Sequence, residues 1–225
     1  MNGAETPVKI RIDSAINLNE FYSNKNGTEE LVSAKRNEGG FIHLVDVLTE
    51  DEKKRNTFEC DMVITGVIHK DADPEKNLPE KAIVKGAIFD FRKSLLPVEF
   101  SAVNPNAIAY FEDLGVSKSN PVFTKIWGRQ ISEVVVKPIV EESAFGEPKV
   151  REVKNTRKDF VITGAASEPY GWDEEGILTV AELNNAITER ETYLAALKQR
   201  QDEYNASKNV NNNAPTTPTT ADFKF

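Results

Sequence analysis

Asn104-Pro105-Asn106-Ala107-Ile108-Ala109-Tyr110-Phe111-Glu112-Asp113-Leu114-Gly115 is a helical pattern set inside a run of strand-like sequence. Asn104 can cap it, Pro105 suits the first helical position, and Gly115 stops it after about two and a half turns. On its N-terminal side, Phe58 to His69, Ala82 to Phe91 and Leu95 to Val103 are short β-branched or aromatic runs separated by turn residues. On its C-terminal side strands resume with Pro121 to Arg129, Ile131 to Val140 and Val150 to Thr163. Ala144-Phe145-Gly146-Glu147-Pro148 lies between the last two, which predicts a long hairpin.

Three strands, a short helix and at least two further strands is the element order of an OB-fold, a five-stranded barrel that binds oligonucleotides or oligosaccharides on one face. The rival is an antiparallel sandwich with the same strand count. The expected architecture is mainly β with α additions: an OB-fold-like five-stranded barrel, an extended β-hairpin arm, a C-terminal helix and a disordered tail. Val8 to Ile16 and Gly39 to Val47 read as further strands, so residues 1–57 are N-terminal strands packing on a core at 58–176. Leu178-Thr179-Val180-Ala181-Glu182-Leu183 starts a helix over 177–204: Thr179 and Glu182 form a capping box, and Leu178 staples to Leu183. Leu183, Ile187, Leu194, Leu197 and Tyr204 make one stripe, which suits docking on the chain's own domain or a dimer helix. Residues 205–225 carry five Asn, four Thr and two Pro. Such a segment buries too little surface to offset its ordering entropy and is expected to be flexible.

Composition narrows the classes. The 225 residues hold 28 Lys+Arg against 36 Asp+Glu, a formal net charge of -8, which argues against a uniformly basic nucleic-acid coat and against attraction to an anionic membrane. Cys60, His43 and His69 are too few for a Cys/His zinc site, and a lone cysteine makes no internal disulfide. No apolar run approaches the roughly 20 residues of a membrane span. The expectation is a soluble, cytoplasmic protein with no metal or other cofactor. Nucleophile-elbow, phosphate-loop and metal-hydrolase motifs are missing, and Cys60 stands between Glu59 and Asp61, whose charges disfavour a thiolate. The protein is not expected to be an enzyme.

Binding chemistry has more support. Reading single strands takes π-faces for bases and cations for phosphates in one groove. Side chains alternate across a strand, so Phe123, Lys125, Trp127 and Arg129 share one face and Val122, Thr124, Ile126 and Gly128 the other. The second set suits the core and the first a binding surface, unless Phe123 and Trp127 cover a neighbouring element. Phe89 and Phe91, followed by Arg92 and Lys93, form a second candidate, with core burial as the plainer reading. Lys149, Arg151, Lys154, Arg157 and Lys158 face one acid, Glu152, within ten residues. This local +4 could follow a phosphate backbone or be a solvated face. Phe223 and Phe225 close the tail as a candidate partner-docking peptide.

Resemblance sharpens these readings. The step from Tyr110-Phe111-Glu112 to Pro121-Val122-Phe123-Thr124-Lys125-Ile126-Trp127-Gly128-Arg129 resembles the helix-to-strand step of single-stranded-DNA-binding OB domains. Val84 to Arg92, Leu96 to Phe100, Glu142 to Gly146 and Arg157 to Gly164, together with the Thr179 to Tyr204 helix, resemble a protein family of tailed phages infecting Gram-positive bacteria. That resemblance implies a replication-associated single-stranded-DNA-binding protein in the cytoplasm of the bacterial host, acting in DNA replication or recombination, and carries over no site residue. The Asp222-Phe223-Lys224-Phe225 end resembles the aromatic tip by which bacterial single-stranded-DNA-binding proteins recruit replication enzymes. It departs from them in charge, since Lys208, Asp222 and Lys224 leave the tail basic before its terminal carboxylate. The expected partners are single-stranded DNA and, through the tail, phage or host replication proteins, with self-association open. The alternative is a phage structural or assembly interaction protein.

Overall fold

The computed structural model describes residues 8–25, 28–45, 55–74, 78–141, 145–146, 148–172 and 178–212. Seven strands and two helices follow one another: β1 Ile10–Lys25, β2 Thr28–Leu44, β3 Thr57–Lys70, β4 Lys81–Phe89, β5 Leu95–Ala102, α1 Pro105–Asp113, β6 Val122–Glu141, β7 Lys149–Ala165 and α2 Val180–Asn212. Five strands close into a barrel in the order β3-β4-β5-β7-β6, and β3 pairs back onto β6. Every barrel contact is antiparallel except β5 with β7, which run parallel at Ser101↔Val161 and Ala102↔Ile162. The parallel contact requires a crossover, and α1 lies within it. Closure decides against the sandwich, so the OB-fold-like architecture is the one observed.

Strand alternation builds the core. Met62 and Ile64 of β3, Ala82, Val84 and Ile88 of β4, and Leu96, Val98, Phe100 and Ala102 of β5 point inward, with Ile126 of β6 and Phe160 and Ile162 of β7. Phe58, Phe100 and Phe160 pack ring on ring, with centroids 5.0 to 5.9 Å apart. Phe100 is wholly buried, so its removal should cost about 3–5 kcal/mol. Helix α1 adds Ile108 and Phe111 to this core. Its start is as read from sequence: the Asn104 side chain accepts from the Asn106 N–H at 2.9 Å. Gly115, at φ 58°, takes the left-handed conformation that ends the helix.

β1 and β2 form a separate two-stranded sheet. They are much longer than the expected Val8 to Ile16 and Gly39 to Val47, because one ladder, with a register shift between Asp13 and Ala15, pairs Ile10↔Leu44 through Lys25↔Thr28. The hairpin reaches the barrel core through Leu18 and Ile16. Lys35 adds an ammonium group 5.0 Å from the Phe100 ring centre and 5.1 Å from that of Phe160, and donates to the Glu99 carbonyl. Burial pulls the Lys35 pKa below the ordinary lysine value, against the opposing pull of Asp159 and Glu99.

A second, smaller cluster sits on the outside of the barrel. Val63, Phe123 and Leu178 are buried there, with Phe89, Tyr170, Trp172 and Leu183 packed around them. The capping box of α2 forms as expected: Glu182 Oε2 accepts from the Thr179 N–H at 3.0 Å, and Thr179 Oγ1 from the Glu182 N–H at 3.2 Å. The helix then packs along β1, burying Ala186 and half-burying Leu183, Leu194 and Leu197. It continues past Tyr204 to Asn212. The expected tail boundary at 205 therefore falls within helix, and Phe223 and Phe225 lie outside the described residues. Among the described residues no helix is long and apolar enough to cross a membrane.

Candidate nucleic-acid interface

The exposed face of β6 meets β3 on one side and β7 on the other. Thr57, Glu59 and Asp61 of β3 pair with Arg129, Trp127 and Lys125 respectively, so cations and an indole alternate with two carboxylates across a single ladder. Between these strands lies a groove of about 550 Å³, lined by Thr57, Phe58, Glu59, Trp127, Gly128, Arg129 and Thr163. Trp127 is 40 % exposed. Its indole lies across Gly164 of β7, where any Cβ would overlap the Nε1, Cε2 and Cζ2 atoms of the ring. Glycine at this position lets a large ring approach the neighbouring strand closely while 40 % of the residue stays exposed.

Alternation along β6 is as expected from sequence, with Thr124 and Ile126 fully buried on the inner side. The fates of the outer residues diverge. Phe123 is only 5 % exposed, because Tyr170 packs edge-on to it at 5.1 Å and Trp172 stacks on it at 5.9 Å. As a buried ring it offers no face to a base, which corrects its expected role as a stacking platform. Lys125 donates to Glu59 at 3.0 Å. That hydrogen bond, with the charges of Glu59 and Asp61, raises its pKa. Lys125 is thus a cation already engaged by β3, where sequence reading had placed it on phosphate. Trp127 and Arg129 are the two of the four that line the groove.

The second candidate set also divides. Phe89 is half-buried against the outer cluster, whereas Phe91 stands in the turn after β4 and is 89 % exposed. The Arg92 guanidinium carbon lies 5.0 Å from the Phe91 ring centre. Lys93, although exposed, pairs with Glu182 at the start of α2.

The basic run lies on the expected arm, where β6 and β7 continue as a two-stranded ribbon from Ile131↔Asp159 to Glu141↔Lys149. Strand parity splits the run. Lys154 and Lys158 alternate with Lys149 and Arg151, so these four do not form a single phosphate track. Arg151 lies 4.0 Å from Glu141 across the ribbon, and the Arg157 side chain is outside the described residues.

Sequence reading missed Thr57, Phe58, Thr163 and Gly164. Phe58 and Thr163 lie at the ends of expected strands and Thr57 and Gly164 just beyond them, and the barrel register is what brings all four beside Trp127. Among the described residues no group of three His, Cys, Asp or Glu side chains is placed to hold a metal ion. Cys60 is half-buried, and burial together with Asp61 and Glu59 pushes its thiol pKa up to about 12.

These features define an OB-type barrel with an appended N-terminal hairpin, a long ribbon arm and a tryptophan–arginine groove on its outer wall. The chain belongs to the YorF family, whose model matches residues 2–200. No curated protein and no solved structure matches it.

Proposed function

We propose that this protein binds single-stranded DNA without strong sequence preference and performs no chemistry on it, serving phage DNA replication or recombination in the host cytoplasm. The observation that supports this best is the groove on the closed barrel, which the half-exposed Trp127 lines together with Arg129. A base stacked on an aromatic face contributes about 1–3 kcal/mol whatever its identity, and a neighbouring guanidinium suits the phosphate. The phage setting rests on the resemblance of the Val84 to Arg92, Leu96 to Phe100 and Arg157 to Gly164 segments.

Fluorescence anisotropy with labelled oligothymidylate over a salt series tests the reading. Affinity should fall with log salt at a slope of about -0.7 per phosphate contact, and Trp127→Ala should weaken binding by about tenfold. Absence of binding at low salt, or equal affinity for duplex, would overturn it.

One observation favours a second reading, an assembly role. Val134, Val136, Val140 and Val150 of the arm are exposed, as is Phe145 near its tip at 93 %. Of the helix stripe that first suggested such a role, Leu183, Leu194 and Leu197 are half-buried, while Ile187 and Tyr204 stay exposed. Light scattering of the full chain separates the two: an oligomer dissolved by Val134→Ser with Val150→Ser, and indifferent to oligonucleotide, would favour assembly.

A further inference from the structure

A second groove, of about 880 Å³, opens where the β1–β2 hairpin crosses the barrel, and Ile12, Asn37, Arg55, Phe58, Phe91 and Gln130 are among the residues lining it. Thr57, Phe58 and Glu59 line both grooves, so the two adjoin along the start of β3. The Phe91 ring stands on its rim and is 89 % exposed. The turn is well fixed. Asp90 Oδ1 accepts from the backbone N–H groups of Arg92 and Ser94, each at 2.8 Å, and the Lys93 N–H donates to the Asp90 carbonyl at 2.9 Å. Lys93 then ties the turn to α2 through Glu182. The backbone that carries Phe91 is therefore held in place.

The acids along this cleft each have a partner. Asp90 is occupied by two N–H donors, Asp13 by Arg11 at 3.0 Å and His43 at 3.2 Å, and Glu59 by Lys125 at 3.0 Å. Arg92 sits against the Phe91 ring, and Arg55 lines the wall.

We infer that this cleft is a second nucleotide subsite: a single strand leaving the Trp127–Arg129 groove passes Thr57 and Phe58 and stacks a base on Phe91, with Arg92 and Arg55 toward its phosphates and the hairpin as outer wall. The inference rests on the reading proposed above for the first groove. It extends that reading by making the N-terminal hairpin part of the DNA path.

The test uses the full chain and oligothymidylates of increasing length within the roughly 4–16 nucleotides an OB domain covers. In a Trp172→Phe background, quenching of Trp127 emission reports the first groove. Phe91→Ala should leave the affinity for the shortest quenching oligomer unchanged and weaken the longest by about tenfold; Arg55→Ala with Arg92→Ala should do the same and lower the salt slope. If these variants bind long oligomers as tightly as wild type, the second subsite is wrong while the first groove stands. If the Trp172→Phe protein quenches with no oligomer at all, the proposed function fails and the subsite with it.

Discussion

Glu20 of β1 and Arg190 of α2, 170 residues apart in sequence, form a two-pronged ion pair in which the glutamate side chain is 3 % exposed and the arginine 11 %. Arg190 Nη1 lies 2.6 Å from Oε2, and Nη2 contacts Oε1. The pair joins the hairpin to the helix at a point where neither partner has water to fall back on. Removing one member strands the other, which typically costs 3–5 kcal/mol. We expect Arg190→Ala to lower unfolding stability by about that amount in urea titrations, and Glu20→Leu with Arg190→Leu to recover much of it. A single variant within about 0.5 kcal/mol of wild type would show that the pair contributes little.

Cys60 gives a chemical prediction. Its thiol, pushed up to about 12 by burial and by the charges of Asp61 and Glu59, should be almost entirely protonated at neutral pH. Since the thiolate is the nucleophile, labelling by an aromatic disulfide near pH 8 should be roughly a thousandfold slower in the native protein than in urea. The sign for stability follows. Above the ordinary 9.0 the unfolded thiol ionises while the native one stays protonated, so stability falls as pH climbs from 9.0 toward about 12. Equal labelling rates in the two states would contradict this.

His69 gives a second pH dependence. Its Nδ1 lies 2.7 Å from Glu112 of α1, and its Nε2 3.2 Å from Glu80 and 3.5 Å from Asp71. The hydrogen bond to Glu112, then the three carboxylate charges, raise its pKa above the ordinary 6.5. Its stabilising contribution is complete below 6.5 and is lost as pH rises through the raised value. An NMR titration should place the His69 midpoint above 6.5, and Glu112→Gln should lower it. A midpoint that Glu112→Gln does not move would assign the shift elsewhere.

Much of the barrel is legible in the sequence because its inward-facing residues alternate along the strands. Met62 and Ile64, Val84 and Ile88, and Val98 and Phe100 repeat with period two, and α1 carries both of its end signals. The β1–β2 ladder is harder to read: Asn17, Asn19, Glu20, Glu29 and Glu30 put polar residues throughout, and pairing rather than burial holds it. Phe123 and Trp127 show the same limit in the site. They share a strand face, yet Tyr170, Trp172 and Leu178 cover only the first. No local pattern on β6 tells which ring a later segment will bury. The arm's cations were legible as a cluster, but alternation divides them because their spacing mixes odd and even steps.

Trp127 and Gly164 give the most direct check on the groove. The two residues face one another across β6 and β7, and a methyl group at 164 would fall inside the indole's van der Waals surface. Gly164→Ala must therefore lift the ring off β7 or displace the strand, at a cost of about 1–3 kcal/mol. Trp172 is the second fluorophore, so the measurement belongs in a Trp172→Phe background. There Gly164→Ala should shift Trp127 emission to longer wavelength as the indole gains water. It should also weaken oligothymidylate binding several-fold, although residue 164 itself touches no base. An unchanged spectrum would mean that the ring does not rest on Gly164. A shifted spectrum with unchanged affinity would remove Trp127 from the binding surface.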